Sequence, residues 1–279
     1  MSFFGPQGMP GDLKNTTALK ARISRGLYEK ARHETLYPED VSRSPMASSV
    51  LFLLGGNCGD REAEPCVILN KRSLKVKQPG DLCFPGGRVS VRLDFFLSRL
   101  LAWPFSPLSR WAYWELWQGK GAEESQRLVL LLATSLRESA EEMRLNPLGV
   151  TFLGPMPAEH LLMFSRVLYP MVAWINSQRR FLPNWEVKKI VRVPLRRLLD
   201  PDAYALYRIR FQGRQQGVFI EEFPCFRYEN GREKEILWGA TYRIVVAFLR
   251  LIFDFTPPPP ELLPVVEGPM NENYLNGAG

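Results

Sequence analysis

The chain has 279 residues, is 46% hydrophobic and 12% aromatic, and carries a formal charge of +7. That length and apolar content can bury a full core and exclude a wholly disordered chain; they suit one large domain, or one domain with additions. The charge points to an anionic partner, but the lysines and arginines are scattered among acids with no RRM, zinc-finger or KH signature, so no nucleic-acid partner is expected.

The opening MSFFGPQGMPGD lacks the basic-then-apolar order of a signal peptide. Residues 1–16 are therefore expected as a flexible leader, and a reducing cytoplasm as the location. Asn15, Thr16 and Thr17 can cap a helix over about 17–33. Strand-like runs follow at 46–54 (MASSVLFLL) and 65–72 (PCVILNKR), able to pair as a hairpin, and then the turn-rich KQPGDLCFPGGR at 77–88. Residues 95–121 form a tryptophan-heavy segment. A long helix is predicted from about 122 to 145, where Asn146-Pro147 stops it. Further strands are predicted at 150–154, 169–175, 186–193, 203–212 and 217–228, a closing helix at 240–253, and an extended Pro-rich tail over 256–279.

The longest apolar runs, RLVLLLATSL (127–136) and RIVVAFLRLIF (243–253), are too short, or too often broken by arginine, to cross a bilayer, which takes ~20 apolar residues. No membrane partner is expected. Cys58, Cys66, Cys83 and Cys225 have no CxxC pairing, which argues against structural zinc or a disulfide frame. The two histidines, His33 and His160, read as surface residues.

The long helix carries LRESAEEM (136–143), with Glu138, Glu141 and Glu142 at i, i+3 and i+4. At 100° per residue Val129, Leu132, Ala133, Leu136, Ala140 and Met143 share one arc and the three acids lie nearly opposite. A core face and a solvated face would explain this much. However, like charges at i,i+4 cost a few tenths of a kcal/mol, no lysine interleaves them, and Leu130 and Leu131 on the acidic side indicate that this side is covered. Crowded carboxylates in a covered cleft call for a cation, and magnesium accepts one or two carboxylates together with waters and substrate phosphates. The loop FPGGR (84–88) reads either as a tight turn or as a place where backbone approaches a phosphate or metal. Arg72 and Arg88 flank it with forks suited to phosphate oxygens.

The Gly-Gly pair followed by REsaEE resembles the Nudix box, G-x5-E-x7-REUxEExGU with U apolar. ILNKRSLKVKQPGDLCFPGG (68–87) resembles the signature that precedes the box in the coenzyme A pyrophosphatase branch of that superfamily. YPMVAWI (169–175), NWEVKKIVRVPL (184–195) and ILWGATYRIVVAFL (236–249) also resemble that branch, so the likeness runs over about residues 45–253. It implies an α/β fold, the Nudix α/β/α sandwich with a mixed β-sheet, over residues 17–255. The sequence departs from the pattern at several points. Gln78 stands where a histidine is expected, Ser139 where the box wants an apolar residue, and Arg144 where it wants glycine. About thirty residues, roughly 92–121, look inserted and split the box. Counting from Gly87 reaches Leu93, and counting back from Arg137 reaches Val129, so the first box glutamate has no direct counterpart. Asp94 misses the register by one, and Glu123 and Glu124 belong to the start of the helix.

Carried over position by position, the resemblance implies that Glu138, Glu141 and Glu142 hold Mg2+, with Mn2+ as a substitute, while Arg137 orients them by its own ion pair. Glu138 is the candidate general base or ligand of the attacking water. Gly86 and Gly87 would approach metal or pyrophosphate through backbone, with Arg72 and Arg88 on phosphate oxygens. Glu186 is a weaker candidate for a further acid; as a solvent-facing strand residue it would have no role. The resemblance implies hydrolysis of a nucleoside diphosphate linked to another group, with coenzyme A or acyl-CoA first, another dinucleotide or nucleotide-sugar second, and a Nudix-like binding module that has lost turnover as the rival. In the insert, Trp103, Trp111, Trp114 and Trp117, with Phe105 and Tyr113, could pack an extra helix or a homodimer contact, or could form a lid or wall for substrate. Its position in the chain requires it to emerge near the site.

Overall fold

The computed structural model describes residues 11–56, 64–161, 166–212, 218–231 and 233–268. The expected leader up to residue 10, Cys58, the turn at 213–217 and the last eleven residues of the expected tail lie outside the described residues.

Asn15 starts the first helix, its Oδ1 accepting from the amides of Thr17 at 3.1 Å and Ala18 at 3.0 Å. In chain order the helix α1 (Thr16–Ala31) is followed by strands β1 (Ala47–Gly55), β2 (Cys66–Arg72), β3 (Leu82–Cys83) and β4 (Gly86–Arg88). Helices α2 (Val91–Leu101), α3 (Trp114–Gln118) and α4 (Ala122–Met143) come next, then β5 (Val150–Pro155), β6 (Glu159–Leu161), β7 (Arg166–Ile175) and β8 (Val187–Pro194). The short α5 (Leu195–Leu198), β9 (Tyr204–Gln212), β10 (Val218–Asn230), β11 (Glu233–Leu237), α6 (Gly239–Phe253) and β12 (Val265–Glu267) complete it.

The main sheet runs β3-β2-β1-β7-β5, with β8 also pairing β2, β4 pairing β1 and β6 pairing β7. Among the described residues only β1 and β7 run parallel within it. All nine residues of β1 are buried, which is why MASSVLFLL reads as a continuous apolar run: it is the central strand, covered on both faces. Phe52 and Leu54 face a core shared with α1 and α6, while Leu51 and Leu53 face one shared with α4, Trp111 and Trp117. Helices on both faces of a mixed sheet make the expected α/β/α sandwich. A second sheet, β11-β10-β9-β12, extends the α1/α6 core through Tyr204 and Phe226. Within the stretch expected as an extended tail, Pro260–Leu262 forms a 3-10 turn and β12 pairs in parallel with β9.

The cysteines among the described residues, Cys66, Cys83 and Cys225, are free. His33 and His160 are exposed. The insert divides: Trp111 and Trp117 are buried in the α4-side core, as extra-helix packing requires, whereas Trp103 and Phe105 stand in solvent.

The end of α4 is where sequence and geometry conflict most. Arg144 occupies the left-handed region, φ 55° and ψ 39°, and turns the chain so that its amide reaches the carbonyl of Ala140 and that of Leu145 reaches Ser139. Glycine is the usual residue for this conformation because a Cβ is crowded there, so the missing box glycine is replaced in position but not in ease. Since the Arg144 side chain is exposed, Arg144→Gly should stabilise the protein by about 1 kcal/mol, read as a rise in the denaturant midpoint. A lowered midpoint would show that the arginine side chain contributes more than its backbone costs.

Candidate active site

The site is built where α4 crosses β4. Ser48, Ser49 and Val50 of β1 pair with Arg88, Gly87 and Gly86, laying the glycine strand along the acidic turn of α4. A Cβ on Gly86 would come within 2.4 Å of the Ser49 carbonyl oxygen, and one on Gly87 within 2.3 Å of Glu138 Oε1. The Gly-Gly pair is therefore more than a turn: bare backbone is needed for the strand to pass β1 and for Glu138 to sit against it.

Arg137 gathers the acids. Its Nε donates to Asp94 Oδ1 at 2.6 Å and its Nη2 to Asp94 Oδ2 at 3.2 Å, while Nη2 also reaches the Arg88 carbonyl at 3.1 Å. Its Nη1 lies 3.0 Å from Glu138 Oε1 and 3.2 Å from Glu141 Oε2. Burial works against this cation, but its hydrogen bond to Asp94 and the charges of Glu138, Asp94 and Glu141 outweigh it and hold the guanidinium above its ordinary value. Asp94 is wholly buried and also accepts from Thr134 Oγ1 at 2.9 Å and from the Ser90 amide at 2.6 Å. That last bond serves the first turn of α2, whose N-cap Ser90 makes no side-chain bond. Asp94 is thus the acid set opposite Arg137. Glu123 and Glu124 are not: they lie about 20 Å away along the helix, and Glu124 is buried receiving the Leu36 amide at 3.1 Å.

Glu142 has a different environment. Asn70 Nδ2 donates to it at 2.6 Å and the Gly86 amide approaches at 3.5 Å. Burial pushes its carboxyl up to about 8, the Gly86 and Asn70 bonds opposing and the charges of Glu138 and Glu186 adding to the rise. Burial also raises Glu138, countered by Arg137 and reinforced by Glu141 and Asp94. Glu186 reaches the edge of the site because the amides of Leu182 and Asn184 bond the terminal α4 carbonyls of Met143 and Glu142, at 3.1 and 2.8 Å. That docking satisfies carbonyls the helix itself leaves open.

The donor set is one of hard oxygens and suits Mg2+, but it is not a closed cage. Among the described residues no three acidic, histidine or cysteine side chains converge as a metal group. Glu138 and Glu142 flank Gly86–Gly87, whereas Glu141 is exposed and turned to Arg137. Of the three expected ligands, then, two meet and the third is held aside. Two carboxylates are what a hydrated magnesium ion ordinarily takes from a protein.

The basic flank also differs from expectation in detail. Arg72 Nε is spent on the Lys77 carbonyl at 2.7 Å, closing the turn in which Gln78 takes φ 54°. The Arg88 side chain is exposed. A third cation, Arg166, was not singled out by sequence; burial and then the charges of Arg88 and Arg72 hold it below its ordinary value. It stands on the sheet face of Arg88, since Ser48 of β1 lies opposite both Arg88 and Leu168. Asn70 was likewise passed over, although it lies within the quoted 68–87 stretch.

A helix-bounded mixed sheet with its REx2EE turn against a Gly-Gly strand fits the α/β/α fold expected of a Nudix protein, and the curated proteins that the chain is similar to include Nudix hydrolases. No protein-family model matches it. It is 26% identical over 196 residues to the mouse peroxisomal coenzyme A diphosphatase NUDT7, covering 68% of this chain and 65% of that one. It is 25% identical over 186 residues to the uncharacterized Nudix hydrolase NudL of Pectobacterium atrosepticum, covering 65% and 72%. To the chloroplastic Nudix hydrolase 22 of Arabidopsis thaliana it is 25% identical over 222 residues, covering 77% and 58%. The match thus takes in less than two thirds of the mouse and plant relatives' length, 65% and 58%. Among solved structures, a MutT/nudix family protein from Enterococcus faecalis aligns with a TM-score of 0.39 at 14% identity, covering 86% of this chain and 75% of that one.

Two outcomes follow from these charges. Asp94→Asn leaves Arg137 half-buried without its main counter-charge and should cost about 3 kcal/mol in thermal or denaturant unfolding; an unchanged midpoint would show that the pair contributes nothing net. For Glu142, a folded value raised to about 8 above an ordinary 4.5 means that the folded state holds the proton between those pH values. Stability of the metal-free protein is therefore fully present below the lower value and falls as pH rises through the upper one. Glu142→Gln should leave the melting temperature near that of the parent at pH 5 and exceed it at pH 8, and Mg2+ should shrink the difference by stabilising the parent. A constant offset between the two pH values would remove burial of this carboxylate as the cause.

Proposed function

We propose that the protein is a Mg2+-dependent pyrophosphohydrolase that cleaves a nucleoside diphosphate linked to another group. Coenzyme A or an acyl-CoA is the first substrate, giving 3′,5′-ADP and 4′-phosphopantetheine or its acyl form. Glu138 carries this reading: a half-buried carboxylate with raised proton affinity, pressed against the Gly87 backbone and held 3.0 Å from Arg137 Nη1. A solvated helix face needs none of these features. The 26% identity to a protein named as a coenzyme A diphosphatase supports the substrate class.

A pyrophosphate resists water because its oxygens are anionic, and a bound divalent cation supplies the neutralisation and the lowered pKa of water that the reaction needs. The protein's own part is positional. Glu138 accepts the proton of the attacking water, its raised affinity making it a better acceptor than an exposed carboxylate near neutral pH. Arg137 keeps Glu138 and Glu141 from rotating away, and is itself kept in place by Asp94. Glu142, with Asn70 on one oxygen and the Gly86 amide near the other, presents the second carboxylate. Arg88 and Arg166 offer guanidinium groups to phosphate oxygens, with Arg72 acting chiefly by closing the 73–81 turn beneath them.

Glu138→Gln tests this directly. The exchange keeps size and removes one charge from a crowded face, so the metal-free variant should be as stable as the parent or slightly more so. Turnover should fall by ~10²-fold or more. Full Mg2+-dependent hydrolysis by the variant would sink the assignment. The substrate is tested by offering CoA, dephospho-CoA, ADP-ribose and a nucleotide-sugar with Mg2+ and analysing products. CoA should be favoured over dephospho-CoA if the basic flank reads the 3′-phosphate, and equal turnover of the two would remove CoA as the preferred substrate.

A further inference from the structure

α2 has two unlike sides. Its inner side carries Asp94 and Leu101, both buried against α4 and its core. Its outer side leaves Val91, Leu93, Phe95, Phe96 and Leu100 in solvent, Phe95 60% and Phe96 59% exposed. The chain then continues into Trp103, 67% exposed, and Phe105, 85% exposed and holding a left-handed backbone at φ 70°. Soluble monomers rarely present so many contiguous large apolar side chains without a binding role.

The polar residues among them decide the occupant. At 100° per residue Arg92 and Arg99 fall within the same outer arc as the five apolar residues, and no acid does. Neither arginine has an ion-pair partner among the described residues, and the Arg99 guanidinium lies 5.7 Å from the Phe95 ring centroid. A second copy docked by two-fold symmetry on this face would set four arginines together with no carboxylate between them. An anionic bilayer surface meets both halves of the pattern. Aromatic rings settle at the boundary of headgroups and acyl chains, and arginines reach lipid phosphates from the same helix.

We propose that the outer face of α2, continued by Trp103 and Phe105, lies on an anionic lipid surface, so that the protein binds membranes peripherally. No helix among the described residues is long and apolar enough to cross a membrane; this face would rest on one. The reading does not depend on the hydrolase assignment. It does, however, put the lipid within one helix diameter, about 10 Å, of Asp94 and the Arg137 cluster.

The test uses the full chain with sedimented vesicles of phosphatidylcholine alone or mixed with phosphatidylglycerol. The chain should sediment with the anionic vesicles, less so as salt rises, and stay in solution with the neutral ones. The double variant Phe95→Ser/Phe96→Ser should lose ~10-fold or more in partitioning, and Arg92→Gln/Arg99→Gln about as much. These side chains are exposed, so melting temperatures should match the parent. Independently of those variants, tryptophan emission should shift to the blue on anionic vesicles, and the shift should shrink in Trp103→Phe. Failure of the parent to sediment with anionic vesicles at low salt would overturn the proposal. Binding that survives Phe95→Ser/Phe96→Ser would do so as well, because the net charge alone would then be responsible. Self-association abolished by the same double variant, without vesicle binding, would assign the face to a second copy and overturn it too.

Discussion

The pair formed by Arg137 and Asp94 holds three parts of the molecule in register. One guanidinium reaches Asp94 on α2, the Arg88 carbonyl on β4, and Glu138 and Glu141 on its own helix. Without the α2 carboxylate, a half-buried cation would face β4 with only flexible glutamates to balance it, and those glutamates would be drawn into neutralising the arginine. With it, Arg137 is already compensated and can act as a rigid support. The wholly buried carboxylate is acceptable because Ser90, Thr134 and Arg137 together fill its acceptor sites.

That arrangement also explains how a split box can keep its geometry. Between the Gly-Gly strand and α4 the chain leaves, forms α2 and α3, and returns; Trp111 and Trp117 anchor the excursion in the α4-side core. Which residue of α2 meets Arg137 is then decided by where the helix packs and not by a count from Gly87. Leu93 falls on the outer arc and Asp94 on the inner one, so the off-register acid is the one delivered. Ser139 follows a similar logic. It is buried where an apolar residue is expected, and its hydroxyl is satisfied by the Ser135 carbonyl at 2.6 Å, a local bond that helices tolerate.

Much of the fold was legible because burial leaves a periodic trace. The nine buried positions of β1, the two faces of α4 and the Asn15 cap are all visible as patterns of residue type, and the predicted elements fall within about two residues of the observed ones, except that β7 begins three residues before its predicted start. Short elements were not legible: β3, β4, β6, β11 and β12 have two to five residues and are set by what they pair with. In the site, the acidic turn and the glycine pair announced themselves by like charge and by missing Cβ atoms. Asn70 and Arg166 did not, since an asparagine on a strand and an arginine at a strand start are ordinary until the partner strand is known. Glu141 marks the limit of helical spacing as a guide. It shares the acidic face, yet Arg137 at i−4 takes it, and the face divides into two acids against the glycines and one beside the arginine.

The same helix that supplies the Arg137 partner also exposes several large apolar side chains, Phe95 and Phe96 among them, and these two features constrain each other. An amphipathic helix usually buries its apolar side and exposes its charged one. On α2 the only acid is buried, and two phenylalanines face outward with arginines. Burying Asp94 is affordable only against Arg137, which fixes the rotation of α2 about its axis. Phe95 and Phe96, the next residues in sequence, must then point away from α4, since each successive residue turns the side chain by 100°. The outward aromatics are therefore not a packing choice that could relax by rolling the helix inward, because any roll that buried them would pull Asp94 out of its ion pair. Apolar side chains thus stand at positions that the Asp94–Arg137 pair forces outward, where polar ones would carry no packing penalty, and this is the pattern that the lipid-surface proposal accounts for.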